Sequence, residues 1–183
     1  AAEWRAAVGL PDDTVPLIGH VARNDPQKDH PGFLQALSGL ARRGRAFRAV
    51  LAGRGTEDLA PLRDGLGLGD HVRLLGERDD MAAMMAALDL FCMSAAYGEG
   101  FPNVLAEAMA CGVPAVTTDV GDAALILERP DRVVPPRVPA ALEAALDAAL
   151  QLSPHQRRAE GAAARARVLD RFTLERSVAQ YRR

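Results

Sequence analysis

The chain has 183 residues, enough for one well-packed domain, and its 49% hydrophobic content is ample for a core. Aromatic residues make up only 4%, so alanine and aliphatic side chains must fill that core. A formal net charge of -2 excludes a generally basic nucleic-acid binder and leaves only local basic clusters to hold a small anion.

Strand-like and helix-like segments alternate along the chain. Val15 to Ala22 (VPLIGHVA) reads as a first strand. Pro31 opens a helix to about Arg43, with proline well placed for a first turn. Phe47 to Gly53 is a second strand, ended by Gly53-Arg54-Gly55. Thr56 is expected to cap a helix to about Leu66, with Glu57 and Asp58 in its first turn. Val72 to Leu75 is a third strand, stopped by Gly76.

Asp79 or Asp80 then caps a helix to about Ala87, in which Met81, Met84 and Met85 share a core-facing stripe. Leu88 to Ser94 is a fourth strand, and Pro102 to Cys111 a helix closed by Gly112. Val113 to Thr118 is a fifth strand and Val133-Val134 a short sixth. Only helices follow, at about Ala140 to Leu152, Pro154 to Phe172, and Thr173 to the end. This order predicts an α/β fold, a parallel sheet covered by helices on both faces. Ligands of such sheets bind beyond the carboxyl ends of the strands.

The loops at those ends carry the candidate chemistry. Arg23-Asn24-Asp25-Pro26-Gln27-Lys28-Asp29 follows the first strand, and Lys28 is the only lysine among 22 basic residues. A chain that uses arginine elsewhere invites a specific explanation for one lysine, such as a point contact to phosphate beside arginine's fork. A solvated loop cation is the plainer alternative.

The second loop runs from Gly98 to Leu105. Gly98 and Gly100 allow close backbone approach, and Phe101-Pro102 leads into a helix start. The amides of Asn103, Val104 and Leu105 there lack intrahelical partners and favour an anion. Glu99 would repel phosphate and suits sugar hydroxyls better. Glu107 sits in the apolar run VLAEAMACG, where a buried carboxylate needs partners such as a ribose diol. An arginine partner, or a position facing solvent, is the alternative.

His20, His30, His71 and His155 have no metal-ligand spacing, and His20 reads as a core histidine. No Asp-x-Asp triplet, P-loop or nucleophile elbow is present, and Glu77-Arg78-Asp79 is a poor substitute for the first. Cys92 and Cys111 read as buried free thiols, consistent with a reducing compartment. No stretch approaches the roughly 20 apolar residues of a membrane span. The chain opens Ala1-Ala2-Glu3-Trp4 without Met, so a fragment is expected.

Taken in order, Arg23 and Lys28, Glu99 and Glu107, EAMACGVPAV and Asp119-Val120-Gly121 resemble the donor-binding domain of group 1 (family 4) glycosyltransferases. The resemblance runs from about Val8 to Tyr181. It implies the C-terminal half of a GT-B type enzyme, a Rossmann-like domain facing an acceptor domain across a cleft. The helices over about 154–183 would pack back toward that absent N-terminal domain.

The resemblance further implies metal-independent hexose transfer from a nucleotide diphosphate sugar to an acceptor hydroxyl, with retained anomeric configuration. No cofactor is expected beyond that substrate. Arg23 and Lys28 would stabilise the leaving diphosphate, Glu99 would orient the sugar, and Glu107 would hold the ribose. Gly100, Phe101, Asn103, Val104 and Leu105 would line the donor site, and the loop around Arg78 would meet the base. The acceptor (sugar, lipid or another alcohol) would belong to the missing half. A cytoplasmic location is expected, at the inner membrane face where the acceptor is a lipid. Asp122 and Leu125 depart from the family's usual glycine and glutamate. A nucleotide-sugar 2-epimerase half and a non-catalytic nucleotide-binding module are the alternatives.

Overall fold

The computed structural model describes residues 1–10 and 14–172, so the helix expected from Thr173 onward lies outside the described residues. The strands are β1 (Leu17–Val21), β2 (Arg48–Ala52), β3 (Val72–Gly76), β4 (Leu90–Met93), β5 (Ala115–Thr118) and β6 (Val133–Val134). They form one sheet in the order β3-β2-β1-β4-β5-β6, and every neighbouring pair is parallel. The chain thus builds outward from β1 to β3, then returns to add β4 on the other side of β1. That reversal makes the β1/β4 junction the topological switch point.

The helices are α1 (Ala2–Ala7), α2 (His30–Arg42), α3 (Ala60–Gly65), α4 (Met81–Ala86), α5 (Asn103–Ala110), α6 (Ala123–Leu127), α7 (Pro139–Leu150) and α8 (Pro154–Arg171). They divide between the faces because strand side chains alternate. Leu17, Val50 and Phe91 pack with Met84, Leu105, Ile126 and Val168 from α4, α5, α6 and α8. Ile18, Leu51, Leu90 and Val116 pack with Phe33, Leu37, Leu142 and Leu146 from α2 and α7. Met84 and Met85 are buried and Met81 packs at their edge, as the methionine stripe requires. No helix among the described residues is long and apolar enough to cross a membrane.

Local expectations fail where a tertiary partner outbids a cap. Thr56 does not cap a helix with its side chain. It is buried, its hydroxyl reaches the Leu51 carbonyl, and it accepts from the Gly76 amide, tying the ends of β2 and β3 together. A 3-10 turn (Thr56–Leu59) replaces the first turn expected there. Asp80 precedes α4 but its carboxylate is taken by Arg78 and Trp4. Pro102 stands before α5 as its N-cap residue rather than inside it.

At the other end of α5 the amides of Gly112 and Val113 donate to the carbonyls of Met109 and Ala108. This is a Schellman closure around Gly112 at φ +76°. The turn leaves Cys111 exposed, contrary to the expectation of two buried thiols. Cys92 is buried, and burial pushes its thiol pKa up.

Candidate functional site

The loops after β1 and β4 meet at the switch point and are tied to each other. After β1 the chain makes a 3-10 turn (Pro26–Lys28), which Asp25 caps by accepting from the Gln27 amide at 2.9 Å. Those contacts, with Arg23 beside them, hold the Asp25 carboxyl below its usual range. Asp29 follows in the left-handed region at φ +47° and caps α2 by accepting from the Gly32 amide at 3.1 Å. Across the junction the Ala96 amide donates to the Gln27 carbonyl at 2.7 Å, and Gln27 Nε2 donates to the Gly98 carbonyl at 2.8 Å.

These ties bring Lys28 to Glu99. The Nζ of Lys28 forms an ion pair with Glu99 Oε1, and both side chains are mostly buried. Lys28, Glu99 and Val104 line one small pocket with His20, Met93 and Ser94. The only lysine therefore stands beside the start of α5. Arg23 does not join it there: its exposed guanidinium turns back onto Asp25 at 3.2 Å.

Helix α5 sorts its residues by face. Leu105, Ala108 and Met109 are buried, while Asn103, Glu107 and Cys111 are exposed on an i, i+4, i+8 stripe. Glu107 is thus a solvent-facing carboxylate one turn beyond Asn103, not a buried one. Its apolar neighbours turn inward and need no polar partner from it. The Leu105 amide, expected to be bare, donates to the Pro102 carbonyl at 3.1 Å. The free donors of the helix start are the Asn103 and Val104 amides, which have no carbonyl four residues back inside the helix.

The turn at Asp119-Val120-Gly121 braces the Glu99 loop from behind. The Asp122 amide donates to the Gly100 carbonyl at 2.9 Å. A Cβ on Gly121 (φ +58°) would lie 2.4 Å from the carbonyl oxygens of both Glu99 and Gly100. Gly100 itself has open space where its side chain would be. Phe101 is exposed, with its ring 5.5 Å from that of Phe172. Arg78 lies beyond β3, at the far edge of the same sheet end. Two 2.6 Å bonds commit its guanidinium to Asp80, whose carboxyl they hold down to about 2. Its backbone is the part left to meet a ligand.

Two residues of this junction escape the sequence reading, since Gln27 and Ser94 carry no pattern of their own. His20 is the core histidine expected, almost wholly buried, with Nε2 2.9 Å from Ser94 Oγ. Asp25-Pro26 and Asp29-His30-Pro31 were the legible signals, since each puts an N-cap residue near a first-turn proline. Among the described residues no three His, Cys, Asp or Glu side chains converge as a metal site requires. A larger cavity of about 270 Å³ lies between α8 and the amino end of β5. Its Arg129 and Arg132 are paired with Glu160, and its Arg167 with Glu128.

Residues 15–152 match the family described as glycosyl transferases group 1. The phosphatidyl-myo-inositol mannosyltransferase of Mycobacterium leprae is 37% identical over 109 residues, which cover 58% of this chain and 28% of that protein. Among solved structures, a glycosyltransferase of Rickettsia africae superposes with a TM-score of 0.88 at 21% identity, covering 98% of this chain and 49% of its own. The Anabaena protein HepE, solved in complex with UDP-glucose, superposes with a TM-score of 0.80 at 27% identity, covering 93% of this chain and 48% of its own. The chain therefore spans less than a third of that curated relative and about half of each solved neighbour. The match over residues 15–152, carried on a parallel sheet with Lys28 and Glu99 at its switch point, shows that the chain belongs to the group 1 glycosyl transferases.

Proposed function

We propose that this chain is the donor-binding half of a retaining, metal-independent glycosyltransferase. The whole protein would move a hexose from a nucleotide diphosphate sugar to an acceptor hydroxyl. The pairing of Lys28 with Glu99 beside the start of α5 carries this reading. A diphosphate needs fixed positive charge and bare amides, and a sugar needs a hydroxyl acceptor. This junction brings the three close together: Lys28, Glu99 and Val104 line one pocket, and Asn103 precedes Val104 at the start of α5.

In this reading the diphosphate rests on the Asn103 and Val104 amides with Lys28 against it. Arg23 swings from Asp25 to add its fork, a small move for an exposed side chain. Fixed positive charge there stabilises the charge that grows on the leaving oxygen as the glycosidic bond breaks. Lys28 also holds Glu99 in place, so the carboxylate meets neutral sugar hydroxyls without repelling the phosphates. Glu107, exposed one turn along α5 from Asn103, takes the ribose diol, and the Arg78 backbone flanks the base. The acceptor site belongs to the missing half, so the isolated chain binds nucleotide and transfers nothing. The HepE complex with UDP-glucose supports a nucleotide-sugar ligand at this level of similarity.

Titration calorimetry with UDP, GDP and ADP tests the reading. One of them should bind, and Lys28→Ala should cost about 1.5–3 kcal/mol, the range for a hydrogen bond to a charged group. Glu107→Ala should weaken binding of the same nucleotide. Absence of binding by all three at millimolar concentration would overturn the proposal.

A further inference from the structure

Lys28 extends from a backbone that is itself held by a buried hydrogen-bond relay. Ser94, 1% exposed at the end of β4, donates its hydroxyl to the Lys28 carbonyl at 2.8 Å and leans on the Asp29 carbonyl at 3.3 Å. A serine hydroxyl has one proton. With that proton given to the loop, Ser94 Oγ can only accept from His20. His20 Nε2, 2.9 Å away, must therefore be the protonated nitrogen. His20 Nδ1 is left without a proton, and it has no hydrogen-bond partner.

The ring cannot swing out of this register. It stacks on Phe33 with centroids 4.8 Å apart and packs against His30 at 4.6 Å. The carbonyls that Ser94 holds flank the one place where the loop needs help. Asp29 sits at φ +47°, a conformation that non-glycine residues hold only when their surroundings enforce it. That twist turns the chain from the 3-10 turn into α2 and sets the direction in which Lys28 leaves the backbone.

We propose that His20 and Ser94 are positioning residues for Lys28: a buried relay, His20 to Ser94 to the Lys28 carbonyl, that holds the lysine in register with Glu99 and a bound diphosphate. This rests on the donor-site reading above. Both side chains are almost wholly buried and act through the Lys28 carbonyl. His20 sits on β1 and Ser94 directly follows β4, the two strands that form the switch point, so rigid strands transmit the relay's geometry to the loop. A histidine in this tautomer is a rigid donor, and β1 fixes its height above the loop. Losing the relay lets the Lys28–Asp29 turn relax and spreads the ammonium over many positions.

The test uses the full chain, with UDP and uridine as paired probes (GDP and guanosine, or ADP and adenosine, should those bind instead). Ser94→Ala and His20→Phe should each weaken diphosphate binding about tenfold, the loss of about 1.4 kcal/mol, and leave nucleoside binding unchanged. His20→Gln restores a donor near the place of Nε2 and should recover most of the affinity. Equal loss for nucleotide and nucleoside would mark the relay as scaffold and overturn the proposal.

Lys28→Ala runs in the same series. Should it leave diphosphate affinity intact, the donor-site reading falls and the relay's role with it. Should it weaken binding while Ser94→Ala and His20→Phe do not, the relay alone is wrong. Nitrogen-15 imidazole spectra of the unsubstituted chain supply a readout that survives misfolding variants. His20 is expected as the Nε2–H tautomer, and an Nδ1–H tautomer would overturn the relay.

Discussion

The buried histidine pair under the Lys28 loop should make the fold sensitive to mild acid. His30 opens α2 fully buried against His20, and burial lowers its pKa from 6.5 to about 4, with Lys28 adding to the shift and the Ala22 carbonyl partly opposing it. His20 is lowered too, first by burial and then by His30 and Lys28. Between those values the unfolded chain binds protons that the folded chain refuses, so stability is fully present above pH 6.5 and is lost as pH falls toward 4.

For His30 alone the full effect is about 3 kcal/mol below pH 4, of which about 2 kcal/mol is lost between pH 7 and pH 5. His20 adds in the same direction. Carboxylates held low by arginines, Asp80 at about 2 among them, lose their contribution only at lower pH, so the upper part of the window belongs to the histidines. For a domain of this size the loss amounts to a fall in Tm of about 4–8 °C. Thermal unfolding of the chain at pH 7, 6 and 5, beside His30→Phe, measures it. The variant should show a flatter profile over this range. A parent whose Tm holds from pH 7 to pH 5, or a variant as steep as the parent, would refute the reasoning.

Gly121→Ala should cost about 1–3 kcal/mol by urea denaturation and weaken nucleotide binding, since the new methyl meets two carbonyls of the Glu99 loop at a left-handed position. Unchanged affinity would show that the brace is idle. Gly161→Ala, inside α8, sets two effects against each other. Helix propensity favours alanine by about 1 kcal/mol, but the Cβ would lie 1.9 Å from the Gly112 carbonyl oxygen, a rigid neighbour. Overpacking costs about 1–3 kcal/mol, so a net loss of stability is expected, and a variant more stable than the parent would reverse that ranking. Of the two thiols, Cys111 should react with a thiol reagent in the native chain and Cys92 only after unfolding. Two fast-reacting thiols in native buffer would contradict the burial of Cys92.

The alternation of strands and helices was legible because each strand is an apolar run and each long helix has a proline, aspartate or glycine at an end. Two short helices, α1 and α6, were not. Helix α1 has an alanine at its N-cap with no side-chain bond, and Arg5 anchors it through the Ala87 carbonyl and Asp89. Helix α6 spans five residues without a side-chain cap. Neither signals itself locally, since tertiary contacts hold both in place.

The candidate site divides the same way. Spacing could nominate Lys28 and Glu99, yet the two lie 71 residues apart and nothing local pairs them. Their pairing is a property of the strand order. Had β4 been laid beside β3, continuing outward, the loop after β4 would have met the Arg78 loop instead. The return of the chain to the free edge of β1 sets the loop after β4 against the loop after β1, and every tie across the junction depends on that one reversal. The relay from His20 through Ser94 inherits the same origin, as a bond between neighbouring strands that exists only because those strands are neighbours. Sequence thus names the chemical groups at a switch point, and topology decides which of them become a site.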